Sequence, residues 1–173
     1  MREEYNEELG EIRLEKNWRI AFEFFPTSVP TGAGNWNSFL HLRDGEGDYS
    51  RVLGFWFVPK SLTPRFGYET LGCVDDVCHP FDYTELNLNQ WNIFVISQTS
   101  RHGKYYVNVN INGVQYPEFE NTAPQVYQNL DVLNSGPHYR TPSGRFRGLT
   151  IRTTSDDAVD LSGKIIKFKI SET

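Results

Sequence analysis

Apolar and polar residues alternate with a period of two in many segments of this chain, and this pattern limits its fold more than any other feature. The clearest case is the run WRIAFEF at residues 18–24. Successive side chains of a β-strand point to opposite faces of a sheet, so the pattern predicts strands. Further strands are predicted at residues 38–43, 51–58, 65–70, 91–98, 105–112, 114–119, 126–133, 146–153 and 164–170. Short strands at this spacing predict a two-sheet sandwich or a barrel.

The composition agrees with an all-β domain and excludes other classes. Aromatic residues, which fit pleated sheets, form 14% of the chain, whereas alanine, the best helix former, occurs only four times. No run of about 18 apolar residues is present, which excludes insertion into a membrane as a spanning helix. The net charge of −5 argues against nucleic acid or an anionic membrane surface as a partner. We expect a flexible segment at residues 1–10 and a single domain at residues 11–173.

The order of several motifs along the chain resembles the laminin-G-like and concanavalin-A-like jelly-roll domains. The motifs are WRIAFEF at 18–24, LNQW at 88–91, YYVNVNING at 105–113 and GRFRGLTI at 144–151. In those domains a tryptophan opens a middle strand, a later strand ends in Asn-Gly or Asp-Gly, and a glycine-led apolar segment returns to the sheet. The resemblance covers about residues 12–170 and looks closest to single-domain extracellular forms of invertebrates.

This resemblance implies an all-β, antiparallel two-sheet β-sandwich of the jelly-roll type in a secreted protein or an ectodomain. We expect the N-terminal strand, at about residues 12–24, to lie near the C-terminal strand, at about residues 164–170. Three tryptophans that fall in strands, Trp18, Trp56 and Trp91, are predicted to lie in the core. The superfamily contains lectins, glycan hydrolases and adhesion modules, so the function has to be argued from individual sites.

The two cysteines, Cys73 and Cys78, lie close together in the segment GCVDDVCHP. A disulfide, two free thiols and a metal site that includes His79 are the alternatives, and the spacing differs from the C-x2-C pattern of zinc ribbons. We predict the disulfide, which the paired-cysteine loop of the resembling domains also implies. A disulfide places the protein outside the cell. No apolar signal-peptide segment follows Met1, so a cytosolic protein with reduced cysteines stays open.

An acidic turn, DGEGD at residues 44–48, is a candidate calcium site. Asp44, Glu46 and Asp48 alternate with glycines, and calcium takes oxygen ligands in flexible turns of this kind. The alternative is a solvated acidic turn, because the ligand set is incomplete. The pair Asp75 and Asp76 in the cysteine loop is a second candidate.

A glycan site requires an aromatic platform beside hydrogen-bonding groups. The candidate ligand-binding residues are Trp36, Asn108, Asn110, His138, Tyr139 and Arg140. Trp36 and Tyr139 fall in segments where strand alternation does not require an aromatic residue. Asn108 and Asn110 share the polar face of their strand and could line a concave sheet surface. The alternatives are a loop anchor for Trp36 and an ordinary solvated strand face for the two asparagines.

Catalytic motifs are absent from the sequence. Glycan hydrolases of the superfamily that this chain resembles carry alternating carboxylates on one strand, and here only Glu118 and Glu120 alternate, with no third carboxylate in register. We therefore predict a non-catalytic extracellular module that binds a glycan or a glycosylated partner, with calcium as the candidate cofactor. The alternative is an adhesion or matrix domain with protein partners only, and a glycoside hydrolase is a remote alternative. Nothing in the sequence predicts the oligomeric state.

Overall fold

The computed structural model describes residues 7–30, 37–44, 51–68, 83–134, 143–155 and 165–167. These ranges contain β-strands and no helix, which confirms the all-β class. The strands are β1 (Glu7–Leu14), β2 (Asn17–Pro26), β3 (Asn37–Arg43), β4 (Arg51–Phe57), β5 (Pro64–Tyr68), β6 (Asn92–Arg101), β7 (Lys104–Ile111), β8 (Val114–Gln115), β9 (Phe119–Asn121), β10 (Tyr127–Asn134), β11 (Gly144–Thr154) and β12 (Ile165–Lys167). Across the same ranges, no helix has the length and hydrophobicity needed to cross a membrane.

The strands form two antiparallel sheets. The smaller sheet has the order β1-β10-β3-β4-β5, and the larger sheet has the order β12-β11-β2-β6-β7-β8, with β9 also paired to β7. Neighbouring described strands run antiparallel throughout both sheets. The turn between β7 and β8 contains Asn112 and Gly113, both with positive φ, as the Asn-Gly pair predicts. The predicted two-sheet antiparallel sandwich is confirmed.

The N-terminal region differs from the expectation of one strand at about residues 12–24. The chain forms β1 in the smaller sheet and β2 in the larger sheet, and β1 begins at Glu7, inside the segment predicted to be flexible. The alternation keeps the same phase through both strands, so periodicity does not reveal the crossing between sheets. Only Lys16 interrupts the apolar series, and the preceding Glu15 N–H donates to Thr153 Oγ1 at 2.7 Å. The strand β12 lies in the same sheet as β2, with β11 between them.

A cluster of phenylalanines joins the two sheets. The Phe22 ring lies at its centre, with centroid distances of 4.7–5.5 Å to four other rings, those of Phe39, Phe55, Phe94 and Phe146. Two of these four rings come from the smaller sheet and two from the larger one. We call these five residues the phenylalanine cluster. Because aromatic rings bury large areas and prefer edge or offset contacts, the cluster sets how the sheets face each other.

The tryptophans predicted for the core occupy different environments. Trp18 is buried in the core, as predicted. Trp56 is also buried, but on the face of β4 opposite to Phe55. There its ring lies over Gly54 and contacts the buried His41 ring edge-on, with centroids 5.3 Å apart. Trp56 is therefore buried, as predicted, but it lies outside the phenylalanine cluster.

Asn92 is a buried amide that forms hydrogen bonds with several parts of the chain. Its Nδ2 group donates to the backbone oxygens of Asn87 (2.9 Å), Gln90 (3.0 Å) and Phe24 (3.3 Å). Its Oδ1 atom accepts from the Asn87 N–H at 3.0 Å and from Asn112 Nδ2 at 2.8 Å. A buried amide is tolerated only when it is bonded in this way. Asn92 thus ties β2, the loop before β6 and the β7–β8 turn together.

Substitution of Phe22 tests the role of the phenylalanine cluster. Phe22→Ala is expected to lower the free energy of unfolding by about 3–5 kcal/mol, because it leaves a cavity among rings of both sheets. Urea unfolding measures this change. The control is Ile93→Ala on the neighbouring strand, where the side chain is 48% exposed and the expected change stays within about 0.5 kcal/mol. Equal losses in the two variants would show that the cluster does not hold the sheets together.

Asn92→Ala is expected to destabilise the protein by about 3 kcal/mol, because it leaves several buried backbone groups without partners and each such group costs ~1–3 kcal/mol. The control is Asn129→Ala, which removes an exposed amide of β10 and is expected to change stability by less than about 0.5 kcal/mol. Thermal and urea unfolding of both variants check the difference. If the Asn92 variant were as stable as the control, the network would carry no structural role.

Candidate functional site

The larger sheet has one face on the core and one face turned away from it, which we call the outer face. Along β2, the buried residues Ile20 and Phe22 face the core, so Arg19, Ala21 and Glu23 face outward. The same alternation applies to the neighbouring strands. Most of the outward side chains of this face are half-buried, which means that neighbouring side chains cover part of each one, whereas Ile93 is exposed.

Strand register arranges the outward side chains in four rows across the sheet. The first row contains Arg152, Arg19, Ser97 and Asn108. The second row contains Thr150, Ala21, Val95 and Asn110. The third row contains Arg147, Glu23 and Ile93. The fourth row contains Arg145 and Phe25.

Asn108 and Asn110 lie on the outer face, where the sequence places the polar side of their strand. Asn110 Oδ1 accepts from the Gly113 N–H at 3.1 Å, and Asn110 Nδ2 donates to Gln115 Oε1 at 3.3 Å. Asn110 is thus bonded to the adjoining turn, whereas Asn108 lies in the first row next to Ser97 and beside Glu118. Of the two asparagines, Asn108 shares its row with Arg19 and Arg152.

Trp91 lies at the fourth row and not in the core, so this prediction is wrong. Its ring meets Phe25 edge-on, with centroids 5.4 Å apart. The Arg147 guanidinium lies over the ring at 3.6 Å from the centroid, and the Arg145 guanidinium is at 5.3 Å. Both faces of the 91–98 segment carry apolar residues, and the inward position is taken by Asn92, so polarity alone does not show which face is buried.

Arg147 is held in place from two directions. Its guanidinium stacks on Trp91, and its Nε donates to Glu23 Oε2 at 2.9 Å. A cation over an indole face is stabilised electrostatically, and the planar guanidinium presents several donors in a fixed geometry. Because Glu23 accepts its hydrogen bond from Nε, the N–H groups of the two terminal nitrogens of Arg147 are not used in this contact. The side chain is therefore a preorganised hydrogen-bond donor at the third row.

Arg19 and Arg152 are directly opposite each other in the first row. Burial lowers the pKa of Arg19, and the neighbouring charge of Arg152 lowers it further. Arg152 Nε is buried and has no hydrogen-bond partner in the described part of the chain. The ion pairs formed within the described ranges involve other cations, namely Arg13, Arg101, Lys104 and Arg147. Like charges that face each other across strands destabilise a sheet, so this pair weakens the fold locally.

A β-bulge in β11 keeps the arginines of this strand on one face. The register with β2 shifts between Arg147 and Thr150, and Gly148 has φ +68°. The extra residue resets the alternation, so that Arg147 before the bulge and Arg152 after it both point outward. Bulges of this kind re-aim side chains, and a positive φ favours glycine.

Of the other predicted site residues, only Asp44 belongs to the described part of the chain. Trp36, His138, Tyr139 and Arg140 lie outside the described residues, as do Glu46 and Asp48 of the acidic turn and the cysteines Cys73 and Cys78. Asp44 is described and exposed at the end of β3. No group of three or more His, Cys, Asp or Glu side chains that could hold a metal ion occurs within the described ranges. The calcium site and the disulfide stay predictions.

The paired carboxylates Glu118 and Glu120 are bound by cations at the edge of the larger sheet. Arg101 forms an ion pair with Glu118, and Lys104 Nζ lies 3.7 Å from Glu120 Oε1. The hydrogen bond from Arg101 lowers the pKa of Glu118. A general acid needs a carboxyl group that keeps its proton near neutral pH, and this environment has the opposite effect.

Comparison with known proteins shows the fold and not the family. No protein-family model and no curated protein sequence matches this chain. Among solved structures, an alginate lyase of polysaccharide lyase family 7 matches with a TM-score of 0.50 and 8% identity, over 82% of this chain and 62% of that one. An alginate lyase from Corynebacterium sp. has a TM-score of 0.48 and 12% identity, over 95% of this chain and 62% of that one.

A galectin from Caenorhabditis elegans also matches, with a TM-score of 0.41 and 15% identity, over 75% of this chain and 92% of that one. The match covers only 62% of the length of each of the two alginate lyases. The fold is an antiparallel β-sandwich of the concanavalin-A-like type, as the sequence resemblance implies. The narrower likeness to laminin-G domains stays a prediction.

Gly148→Ala tests whether the bulge requires a left-handed backbone. An added Cβ would lie 3.7 Å from Glu23 Oε2, an ordinary contact, so the expected loss of about 1–2 kcal/mol comes from the backbone alone. Asn tolerates this conformation better, so Gly148→Asn is expected to lose about half as much. Urea unfolding of the two variants measures both losses. Equal stability of Gly148→Ala and the natural protein would contradict the bulge geometry.

Proposed function

We propose that this protein is a non-catalytic recognition module that binds a glycan on the outer face of its larger sheet. The observation that carries the proposal is the continuous set of half-buried hydrogen-bonding side chains at the centre of that face. The set consists of Arg19, Ser97, Asn108, Arg147, Thr150 and Arg152. Saccharide sites need a few convergent polar groups on a preformed surface, and a sheet supplies a rigid one.

The aromatic part of the site comes from Trp91 and Phe25 at the fourth row. These rings border the polar rows and give the surface an apolar edge beside its hydrogen-bonding centre. Trp91 also orients Arg147 by stacking, so its contribution to binding is made partly through that guanidinium. The predicted platforms Trp36 and Tyr139 stay in the proposal as additional contacts, with His138 and Arg140.

The absence of catalysis is also part of the proposal. Among the described residues of the four rows, Glu23 is the one carboxylate, and it is bonded to Arg147. Glycoside hydrolysis requires two carboxyl groups on opposite sides of the scissile bond, one of them protonated. Glu118 is held ionised by Arg101 and lies at the sheet edge, so it does not supply that second group.

The remaining expectations are kept as parts of the same proposal. We propose an extracellular location, a disulfide between Cys73 and Cys78, and calcium bound at Asp44, Glu46 and Asp48. An adhesion or matrix domain with protein partners is the second candidate function. Ile93 favours it, because this apolar side chain is 48% exposed in the third row. A single exposed apolar residue is smaller than the patches that mark protein interfaces, so we prefer the glycan.

A glycan array, probed in calcium and again in EDTA, tests the proposed function. The natural protein is expected to bind a subset of glycans, and Asn108→Ala is expected to weaken binding about 3- to 10-fold, the effect of one lost hydrogen bond. The control is Asn129→Ala, an amide of the smaller sheet, which should leave binding unchanged. Trp36→Ala and Tyr139→Ala are measured separately.

Failure to bind any glycan, with and without calcium, would remove the proposed function. Binding that survives Asn108→Ala but is lost in Trp36→Ala or Tyr139→Ala would show that the glycan is bound by these aromatic residues and not by Asn108. Self-association in the absence of glycan binding would instead support the adhesion domain. Thermal unfolding of each variant shows whether a loss of binding reflects a loss of folding.

A further inference from the structure

The four rows of the outer face concentrate positive charge in a chain that is acidic as a whole. Four arginines and one glutamate occupy these rows, whereas the net charge of the protein is −5. Arg147 is neutralised in part by Glu23. The other three arginines form no ion pair within the described part of the chain. The outer face is therefore cationic, although the net charge of the whole protein is negative.

The two arginines of the first row, Arg19 and Arg152, destabilise the folded protein. Arg19 and Arg152 face each other in register, and burial disfavours the charged form of Arg19. A buried donor without a partner, such as Arg152 Nε, also destabilises a fold. A bound anion would lower the first two of these penalties, because it would screen the two charges and accept hydrogen bonds from both guanidinium groups. A negatively charged group beside the two arginines would therefore stabilise the pair.

The geometry separates two cationic positions by an uncharged strip. The first row holds Arg19 and Arg152, and the third row holds Arg147. The β2 positions of these rows, Arg19 and Glu23, are four residues apart along the strand, which corresponds to roughly 13 Å. The second row between them carries the small or short side chains Ala21 and Thr150, which form a lower floor. A ligand that reaches both positions must therefore be extended and must carry acidic groups at intervals.

Uncharged hydrogen-bonding groups lie within this strip and beside the first-row arginines. Ser97 and Asn108 continue the first row, and Thr150 and Asn110 belong to the second row. Hydroxyl and amide groups match the hydroxyl groups of a sugar, whereas a simple inorganic anion would use only the arginines. Arginine forks pair with carboxylate or sulfate oxygens in a bidentate manner.

We propose that the outer face selects acidic saccharides, with Arg19 and Arg152 binding one carboxylate or sulfate group and Arg147 binding a second. This inference rests on the proposed function and specifies the substrate class of the same site. Thr150 binds sugar hydroxyl groups between the two acidic positions, and Ser97 and Asn108 bind hydroxyl groups beside Arg19. Trp91 acts as a positioning residue, because it holds the Arg147 guanidinium in place by stacking.

The test compares charged and neutral forms of the same saccharide. The probes are an oligogalacturonate, the same oligomer with its carboxyl groups methyl-esterified, sulfated dextran oligosaccharides, unmodified dextran oligosaccharides and a single-stranded DNA oligonucleotide. Binding is measured by isothermal titration at two salt concentrations. At least one acidic saccharide is expected to bind about tenfold or more tightly than its neutral form. The carboxylated and sulfated probes distinguish the two sources of negative charge.

Arg19→Gln and Arg152→Gln are each expected to weaken acidic binding about tenfold or more. Arg13→Gln on β1 is the matched control, since it changes the net charge equally but lies on the other sheet, and its effect is expected to stay within about twofold. Because Arg19→Gln removes a repulsion, its melting temperature in the absence of ligand is expected to equal or exceed that of the natural protein. Arg152→Lys keeps the charge without the fork and is expected to bind with intermediate affinity.

Several results would overturn the inference. Equal binding of neutral and acidic probes, both weakened by Asn108→Ala, would remove the charge selection and leave the proposed glycan function standing. An Arg13→Gln effect as large as that of Arg19→Gln would show general electrostatic attraction without a site. DNA binding as tight as that of the acidic saccharides would identify an unselective polyanion surface. No binding to any saccharide would remove both the inference and the proposed function.

Discussion

The contact between phenylalanine rings of the two sheets is the interaction on which the rest of the structure depends. Because Phe22, Phe94 and Phe146 all point into this cluster, each of their strands must present its alternate residues to the outside. The inward rings of β2 and β11 thereby determine that Arg19 and Arg147 share the outer face. The candidate binding surface is thus a direct consequence of how the core is packed.

Polar side chains on the two sides of the larger sheet differ in the partners that they have. On the core side, Asn92 has hydrogen-bond partners for both its oxygen and its nitrogen, and Gln98 and Asn121 bond to each other at 2.8 Å. On the outer face, Arg19 and Arg152 oppose each other with no carboxylate between them in the described part of the chain. The core side of the sheet thus pairs its buried amides, whereas the outer face carries two like charges in register, and local conflicts of this kind occur at functional sites.

The strand pattern and the turn at Asn112 and Gly113 could be predicted because they depend on local sequence. The outward position of Trp91 could not, since the segment that it opens is apolar on both faces and the inward residue, Asn92, is an amide. The division of the N-terminal region into β1 and β2 was also hidden, because the alternation keeps one phase through both strands. In each case the deciding information was the partner strand, which lies far away in the sequence.

The sequence by itself determined the all-β class, the approximate strand positions and the polar face of Asn108 and Asn110, because side-chain alternation is a property of the strand alone. Only the tertiary structure decided which residues become neighbours. Arg19 and Arg152 are distant in sequence and meet because β2 pairs with β11, and the bulge at Gly148 sets the register on which that meeting depends. Charge clusters on a sheet arise from strand order and register, and neither is contained in the periodicity of a single strand.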